Sequence, residues 1–563
     1  MAEKTHKTLV LLSKLVKVPP LKAVSLFNSS ISYGFQHTHE SFSLLLRLLL
    51  CRNLLSHAQS LLLQVISGRI QFLDLTSSSL LRYLTETEGS STRVRLYEVI
   101  VNAYVHSQSL DDAVFYFKEM VGEGLVPESN CFNNLLGFVV RSCSFDKAWS
   151  FFNENKCRVD LDAHSFGIVI KGCCNAGELG KSFELLVELE HCGLCPNVVI
   201  YTTLIDGCCK KGEISKAKDL FSQMKKIGLV ANEHTYTALI HGLFKNGFKK
   251  EGFELCKKMQ ADSVLPNLYT YNCVISELCK DGRTREAFKV FEEMRERGIT
   301  CNVVTYNTLI LGLCGEKRVF EAKRFVNQMK NAGIIPNLIT YNTLLDGFCS
   351  VGELAKALSL FKDLKSSGMS PSLVTYNVLI SGFCKAGDPK GAANLVKEME
   401  ERGIKPSEVT YTILIGTFAR SGDMEKAIQL HSSMENSGLC PDVHTFGVLI
   451  HGFCIKGQMN EASRLFMSMC DRKVKPNGII YNKMILGYCR EGSSYRALRL
   501  LREMEEKVFV PNIASYSSTI GVLCRERKWQ EAEGLVEKMI ASSMDPSVSI
   551  YNMISRAKNH PDI

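Results

Sequence analysis

The sequence has no apolar run long enough to cross a bilayer. Its most leucine-rich stretch, SFSLLLRLLLCRNLL, begins at Ser41 and is interrupted by Arg47 and Arg52. A membrane-spanning helix needs about 20 consecutive, mainly apolar residues. We therefore expect neither a membrane-spanning helix nor a membrane partner.

Signatures of metal and catalytic centres are also scarce. One Cys-x-x-Cys pair is present, Cys192 with Cys195, but no second pair accompanies it, and a structural zinc ion needs four ligands. The pattern H-x-E followed by C-x-x-C, typical of zinc deaminases, is missing from the C-terminal region. No carboxylate cluster and no Ser-His-Asp set stands out. We therefore expect a protein without a cofactor and without catalytic activity.

Acidic residues are almost absent from the N-terminus. Glu3 is the only acid in residues 1–36, a segment in which lysines alternate with leucine and valine. This composition predicts an amphipathic organelle-targeting presequence over 1–36. The segment also lacks arginine, which leaves a disordered basic tail as the alternative. Lys14 and Lys17 interrupt the apolar run and argue against a secretory signal.

What the chain has in abundance is a repeat of 35 residues. It is marked by an aromatic residue that recurs every 35 residues, with one step of 34: Tyr97, Phe132, Phe166, Tyr201, Tyr236, Tyr271, Tyr306, Tyr341, Tyr376, Tyr411, Phe446, Tyr481, Tyr516 and Tyr551. A fixed period of this size indicates a solenoid of stacked units. The pattern predicts thirteen units over 94–547, a partial unit over 548–563 and a degenerate helical cap over 37–93.

Each unit reads as two helices. In Leu373 to Ser407, the spacing of Tyr376, Leu379, Ile380 and Phe383 places them on one helical face, and a second helical set follows. Gly387 follows the first helix as a left-handed cap residue would. The sequence therefore predicts an all-α fold, an α-α superhelical solenoid of helix-turn-helix repeats.

We number each unit so that the recurring aromatic residue is position 4. Position 12 is cysteine in nine units and an apolar residue in most others, which is typical of a buried hydrophobic position rather than of a metal ligand. The nine are Cys174, Cys209, Cys279, Cys314, Cys349, Cys384, Cys454, Cys489 and Cys524. We expect them to be reduced structural thiols.

Position 5 lies on the opposite face of the first helix from the buried stripe and is mostly a short amide or hydroxyl residue. These are poor helix formers, so they suggest hydrogen bonding to something outside the fold. The set is Asn133, Thr202, Thr237, Asn272, Asn307, Asn342, Asn377, Thr412, Asn482 and Ser517, with Glu98, Gly167 and Gly447 as exceptions.

Position 35, just before the next first helix, is restricted in the same way. Its members are Asp162, Asn197, Asn232, Asn267, Asn302, Asn337, Ser372, Ser407, Asp442, Asn477, Asn512 and Ser547. Helix capping alone explains these residues, because Asn, Asp and Ser are preferred N-caps. Capping does not explain position 5, so the two positions together favour a functional row.

Position 13 supplies positive charge on the same face. Eight units carry a cation there: Arg141, Lys210, Lys245, Lys280, Lys385, Arg420, Arg490 and Arg525. A cation near a helix C-terminus is favoured by the macrodipole, by about 0.3–1 kcal/mol. A cation in each repeat would also form a ladder suited to a single-stranded phosphate backbone. The net charge of +9 is compatible with a polyanionic partner.

These residues resemble the pentatricopeptide repeat family in its P-type form, over residues 94–547. Tetratricopeptide units would show a Trp-Leu-Gly-Tyr pattern in the first helix, whereas Val304 to Ile310 read VTYNTLI. The resemblance implies binding of single-stranded RNA with one base per repeat. Position 5 with position 35 would read the base. Position 2, which is Val199, Val304, Ile339, Val374 or Val409 in five units, would wedge against the bases.

The family's pairing preferences imply a base for most units. Asn133 with Asp162 implies U; Thr202 with Asn232 and Thr237 with Asn267 imply A; Asn272 with Asn302 and Asn307 with Asn337 imply a pyrimidine; Asn342 with Ser372 and Asn377 with Ser407 imply C; Thr412 with Asp442 implies G; and Asn482 with Asn512 implies a pyrimidine. The units of Glu98, Gly167, Gly447 and Ser517 leave their bases open. The expected target core is 5′-U-n-A-A-Y-Y-C-C-G-n-Y-3′.

Function within the family then suggests organelle RNA metabolism: splicing, processing or stabilisation of specific transcripts, with splicing or processing factors as possible partners. The mitochondrion is the expected location and the chloroplast the alternative. Two other functions compete. A scaffold for protein partners would show varied, apolar or aromatic residues in the groove, and an RNA-processing enzyme would need a catalytic domain beside the repeats.

Overall fold

The computed structural model describes residues 18–32, 39–70, 84, 90–542 and 544–559. The described residues form helices and connecting turns without a strand. The chain divides into two compact units, residues 1–273 and 274–563. The expected all-α fold is confirmed in each of them.

The first unit begins with three helices ahead of the regular repeats. These are α1 (Pro20–Ser32), α2 (His39–Cys51) and α3 (Leu55–Ile66). The repeat helices are α4 (Ser90–His106), α5 (Leu110–Gly122), α6 (Ser129–Ser142), α7 (Phe145–Asn155), α8 (Ala163–Ala176), α9 (Leu179–His191), α10 (Val198–Lys211), α11 (Ile214–Lys226), α12 (Glu233–Lys245) and α13 (Lys249–Ala261). The division between the units falls within α14 (Leu268–Lys280).

The second unit continues the same alternation. Its helices are α15 (Thr284–Glu296), α16 (Val303–Gly315), α17 (Val319–Asn331), α18 (Leu338–Ser350), α19 (Leu354–Ser366), α20 (Leu373–Lys385), α21 (Pro389–Glu401), α22 (Glu408–Ser421), α23 (Met424–Asn436), α24 (Val443–Ile455), α25 (Met459–Asp471), α26 (Gly478–Glu491), α27 (Ser494–Glu506), α28 (Ile513–Arg525), α29 (Trp529–Ala541) and α30 (Val548–Asn559). From α4 onward, even-numbered helices are first helices of a repeat and odd-numbered helices are second helices.

Glycines with positive φ end both helices of a repeat where the sequence predicts a stop. After α20, Gly387 has φ of +77°, and after α21, Gly403 has φ of +76°. An L-residue with a side chain adopts this left-handed region only at a cost. The turns therefore reverse the direction of the chain. Within each of the two compact units, the first helix of a repeat packs on the second helix of the same repeat and on the first helix of the next repeat.

The recurring aromatic residue of position 4 is buried between repeats. Tyr236, Tyr376 and Tyr481 are among the largest fully buried side chains. Tyr376 meets Phe361 of the preceding second helix edge-on, with ring centroids 5.5 Å apart. Edge-to-face pairs of this kind add to the burial of apolar area, so the aromatic residue joins each repeat to the one before it.

Position 12 cysteines lie where adjacent first helices approach most closely. A Cβ added to Gly347, at position 10, would lie 2.7 Å from Cys314 Sγ, and one added to Gly312 would lie 2.6 Å from Cys279 Sγ. Burial raises the pKa of the Cys314 thiol to about 12. The cysteine side chains thus fill the space that the missing side chain of glycine leaves open. This packing agrees with the interpretation of these cysteines as buried structural residues.

No cluster of three or more His, Cys, Asp or Glu residues suited to a metal ion occurs in the described part of the chain. Cys192 and Cys195 are both exposed free thiols. None of the helices described above is both long and apolar enough to cross a membrane. The expected presequence falls largely on residues 1–17 and 33–36, which lie outside the described residues, as do 71–83 of the expected N-terminal cap.

Candidate nucleic-acid interface

Position 35 caps the following first helix. In ten repeats its side chain accepts a hydrogen bond from the backbone N–H three residues on: Asp162, Asn197, Asn232, Asn302, Asn337, Ser372, Ser407, Asp442, Asn477 and Asn512. Asn267 accepts the same bond from Thr270 N at 3.0 Å. The capping role considered from sequence is therefore real, and it fixes each of these side chains at the start of a helix.

Position 5 is tied to this cap through a residue that the sequence analysis did not single out. Position 3 of the next repeat is usually a fully buried threonine, whose hydroxyl lies between the two. Thr340 donates to Asn307 Oδ1 at 2.6 Å and also lies 3.1 Å from Asn337 Oδ1. Thr410 donates to Asn377 Oδ1 at 2.7 Å. The buried hydroxyl thus orients the position 5 amide from behind.

Repeats with threonine at position 5 use the same arrangement. The hydroxyl oxygens of Thr202 and Thr235 are 2.7 Å apart, and those of Thr412 and Thr445 are 2.8 Å apart. In the repeat of Asn482, Ser515 donates to Asn482 Oδ1 at 2.7 Å. In these repeats the position 5 side chain therefore forms a hydrogen bond inside the fold, and its hydrogen bonding to an outside partner stays a prediction.

In two repeats the side chains of positions 5 and 35 contact each other directly. Asn307 Nδ2 donates to Asn337 Oδ1 at 3.2 Å, and Asn133 Nδ2 donates to both carboxylate oxygens of Asp162 at 3.1 and 3.2 Å. Burial alone would raise the pKa of Asp162, but hydrogen bonds from Ser165 N and the Asn133 amide hold that pKa below its ordinary value. The predicted base-reading pairs are neighbours in space in these repeats.

The remaining position 5 residues differ in their surroundings. Asn342 is half-buried, and its Oδ1 has no hydrogen-bond partner. Asn272 and Ser517 are half-buried. Glu98 turns inward, where its carboxylate accepts from Glu128 N at 2.7 Å, and burial raises its pKa. The Glu98 side chain is therefore engaged in capping α6.

An exposed apolar row runs beside these polar groups. Position 2 holds branched aliphatic residues that are each more than half exposed: Val199, Val304, Ile339, Val374, Val409 and Ile479. Exposed aliphatic residues are unremarkable singly, but their recurrence at one position of successive repeats makes a surface. Such side chains offer flat apolar contacts on which planar groups pack.

The position 13 cations all point to solvent. Arg141, Lys210, Lys245, Lys280, Lys385, Arg420, Arg490 and Arg525 are exposed. Lys210 pairs with Asp206 at 2.7 Å and Lys280 with Glu277 at 3.3 Å. The other six form no ion pair among the described residues. They remain available to an external anion.

Together these rows place oriented hydrogen-bonding groups, an apolar surface and cations on the first helices, and the repeats of Asn377 and Thr412 carry all three. This combination can bind planar bases by their edges and faces and a phosphate chain by its charge. The sequence analysis found positions 2, 5, 13 and 35 but missed position 3. The signal for position 3 is the recurrence of threonine or serine there, at sites that are fully buried. This signal becomes apparent only when position 3 of one repeat is compared with position 5 of the preceding repeat.

Comparison with protein families identifies the repeat. The model described as PPR repeat family matches residues 196–245, 232–280, 266–315, 302–350, 336–385, 371–420, 414–455 and 476–525. The model described as PPR repeat matches residues 95–125, 164–194, 444–474 and 514–544. More than half of the chain is matched.

Individual proteins show the same similarity. The pentatricopeptide repeat-containing protein At4g11690 of Arabidopsis thaliana is 70% identical over 203 residues, 36% of this chain and 36% of that relative. The chloroplastic protein At4g19440 of the same plant is 31% identical over 185 residues, 31% of this chain and 22% of that relative. The matches thus span about a third of one relative's length and about a fifth of the other's. The crystal structure of the pentatricopeptide repeat protein PPR10 from maize, 21% identical, aligns with a TM-score of 0.60 over 98% of this chain and 85% of that one.

Proposed function

Because this chain belongs to the pentatricopeptide repeat family, we propose that it binds single-stranded RNA in a sequence-specific manner, one base per repeat. The observation that carries this proposal is the row of position 5 side chains, of which six are held from behind by a buried hydroxyl: Thr202, Thr237, Asn307, Asn377, Thr412 and Asn482. A reading group must be oriented before the ligand arrives, since ordering it on binding would cost affinity. The threonine bridges supply that orientation.

The unpaired cations support RNA rather than a protein as the partner. Arg490 and Arg525 occupy position 13 of successive repeats, and neither they nor Arg420 has a carboxylate partner in the described part of the chain. Phosphate contacts by such residues release counterions. A protein scaffold would instead place varied apolar or aromatic groups along the row. The alternative of a protein partner predicts binding that changes little with salt.

The predicted target core is 5′-U-n-A-A-Y-Y-C-C-G-n-Y-3′, from Asn133 for the first base to Asn482 for the eleventh. Selection of bound RNA from a random pool tests it. We expect the segment A-A-Y-Y-C-C-G to be enriched and the affinity to fall steeply with salt. A selected sequence unrelated to this core would reject the assignment of bases.

A single substitution tests position 5 directly. Thr412→Asn, beside Asp442, should change the preference at the ninth base from G toward U, because the Asn-Asp pair is the one assigned to U at Asn133. Thr412 is half-buried and its hydroxyl faces Thr445, so an amide there meets the same buried donor. Ser433→Asn, exposed on α23 of the same repeat, is the matched control and should leave the preference at G. An unchanged preference in Thr412→Asn would count against position 5.

The cellular role follows from the family and from the relatives. We propose action in an organelle, without catalysis, by splicing, processing or stabilising a transcript. The name of one relative places it in the chloroplast and the name of another places it in the mitochondrion; we propose the mitochondrion, with the chloroplast as the alternative. Sequencing the RNA that co-purifies with the tagged protein from each organelle would decide between them and identify the transcript.

A further inference from the structure

Position 3 and the preceding position 5 vary together along this chain. In all nine repeats with Asn or Thr at position 5, the next repeat has Thr or Ser at position 3. The two repeats with glycine at position 5 are followed instead by isoleucine, Gly167 by Ile200 and Gly447 by Ile480, and Ser517 is the one other position 5 residue followed by isoleucine, Ile550. A buried hydroxyl with no amide to bind would lack a partner, and an aliphatic side chain removes that problem.

The structure shows that the isoleucines fill the vacated site. A Cβ added to Gly167 would lie 3.7 Å from Ile200 Cγ1, and one added to Gly447 would lie 3.5 Å from Ile480 Cγ1. The helix caps are kept, since Ile200 N and Ile480 N still donate to the Asn side chains of position 35. Only the group that reads the base has been removed.

The two glycine repeats differ in one neighbouring side chain. Lys483, three residues after Ile480, reaches back so that its Nζ donates to the carbonyl oxygen of Gly447 at 3.2 Å. Its counterpart after Ile200 is Thr203, whose hydroxyl donates to Val199 O of its own helix at 2.8 Å. The first site therefore has a cation bonded to the backbone of the position 5 glycine. The cavity beside Gly167 is lined by Arg141 and Lys171, but among the described residues no lysine or arginine side chain bonds to the Gly167 carbonyl.

The surroundings of Lys483 leave its amine available. It is half-buried, lines a cavity of about 610 Å³ with Asp442, His444 and His451, and has no ion-pair partner among the described residues. Burial lowers the pKa of Lys483. Burial and the nearby Lys483, Arg490 and Arg420 lower the pKa of His451. Among the described residues, the acceptor that holds the amine is the Gly447 carbonyl, which an incoming base could replace.

We propose that Lys483 replaces the missing position 5 side chain of the Gly447 repeat and selects a keto base, guanine ahead of uracil, at the tenth base of the target. The inference rests on the proposed function. A lysine amine only donates hydrogen bonds, so it favours carbonyl oxygens; guanine places O6 and N7 side by side, the pairing that Lys makes in DNA. Adenine and cytosine present an amino group at the corresponding edge. The second base, at Gly167, has no such donor and stays unselected.

The test measures affinity for RNAs that carry the core with each of the four bases at the second, ninth and tenth positions. The wild-type protein should favour G or U at the tenth base by about fivefold or more and show no preference at the second. Lys483→Thr should abolish the preference at the tenth base and leave that at the ninth. Thr203→Lys, the matched transfer, should create a preference for G or U at the second base. Lys483→Met, with circular dichroism, controls for the loss of bulk.

Three results would overturn the proposal. If Lys483→Thr weakens binding equally for all four bases and lowers the salt slope by about 1, the amine contacts a phosphate. If the variant changes the preference at the ninth base alone, Lys483 belongs to the Thr412 site. If the wild-type protein does not distinguish the core from a scrambled RNA, the proposed function fails together with this inference, whereas the first two results leave that function standing.

Discussion

First and second helices of the repeats differ in how often their basic residues form ion pairs. On the second helices many basic residues are paired: Lys426 lies 3.1 Å from Asp423, and Lys538 lies 2.7 Å from Glu505 of the previous second helix, although Lys330 of α17 has no ion pair among the described residues. On the first helices, most cations of position 13 form no ion pair within the described residues. The contrast is one of degree, and it leaves most of the position 13 cations available to an external anion.

The helix starts differ in the same way. Asn337 caps α18 through Thr340 N, whereas Glu353, at the start of α19, makes no side-chain cap bond. Second helices are held by packing and by surface ion pairs, each worth about 0–1 kcal/mol. First helices are held by buried polar bonds that also orient groups toward the groove. The comparison predicts that substitutions on first helices lower the stability of the protein and alter which RNA it selects. Matched substitutions on second helices should neither lower stability nor alter RNA selection.

The largest effect is expected where first helices touch. Gly347→Ala would place a Cβ 2.7 Å from Cys314 Sγ and 3.2 Å from Val319 Cγ1, and overpacking of this kind costs about 1–3 kcal/mol. Gly534→Ala, on second helix α29, meets nothing within 4 Å and should stabilise the protein by about 0.5–1 kcal/mol. Urea unfolding followed by circular dichroism compares them. Equal midpoints for the two variants would contradict this account of the helix contact.

A smaller loss is expected from the buried bridge. Thr340→Val keeps the shape of the side chain but removes the hydroxyl that donates to Asn307 Oδ1. We expect a loss of about 1 kcal/mol and weaker discrimination at the sixth base, which Asn307 is proposed to read. The control is Thr343→Val on the same helix, because the hydroxyl of this half-buried residue donates to Ile339 O of its own helix. Undiminished discrimination in Thr340→Val would mean that position 5 needs no support.

The sequence predicted most of this fold because its signals are local. Tyr376 and its apolar neighbours define the buried face of α20 within a single helix. Gly387 and Gly403 have positive φ angles just after α20 and α21, and these two helices end there. The role of Thr340 could not be predicted in this way, since its hydroxyl acts on Asn307, 33 residues earlier. Contacts between repeats depend on how the helices stack, so they become visible only in the structure or in columns compared across repeats.

The smallest effect on stability is expected from chemical modification of the cysteines, which tests whether each thiol is buried. Cys349, on first helix α18, is buried, and burial raises its pKa to about 12; Cys440, in the turn after second helix α23, is exposed. Because the thiolate is the form that reacts, iodoacetamide at pH 8 should modify Cys440 in the folded protein and Cys349 only after unfolding. Peptide mass spectrometry measures both sites, and alkylated Cys440 should leave the urea midpoint unchanged. Rapid modification of Cys349 in the folded protein would show that the first helices do not pack through this cysteine as the structure has it.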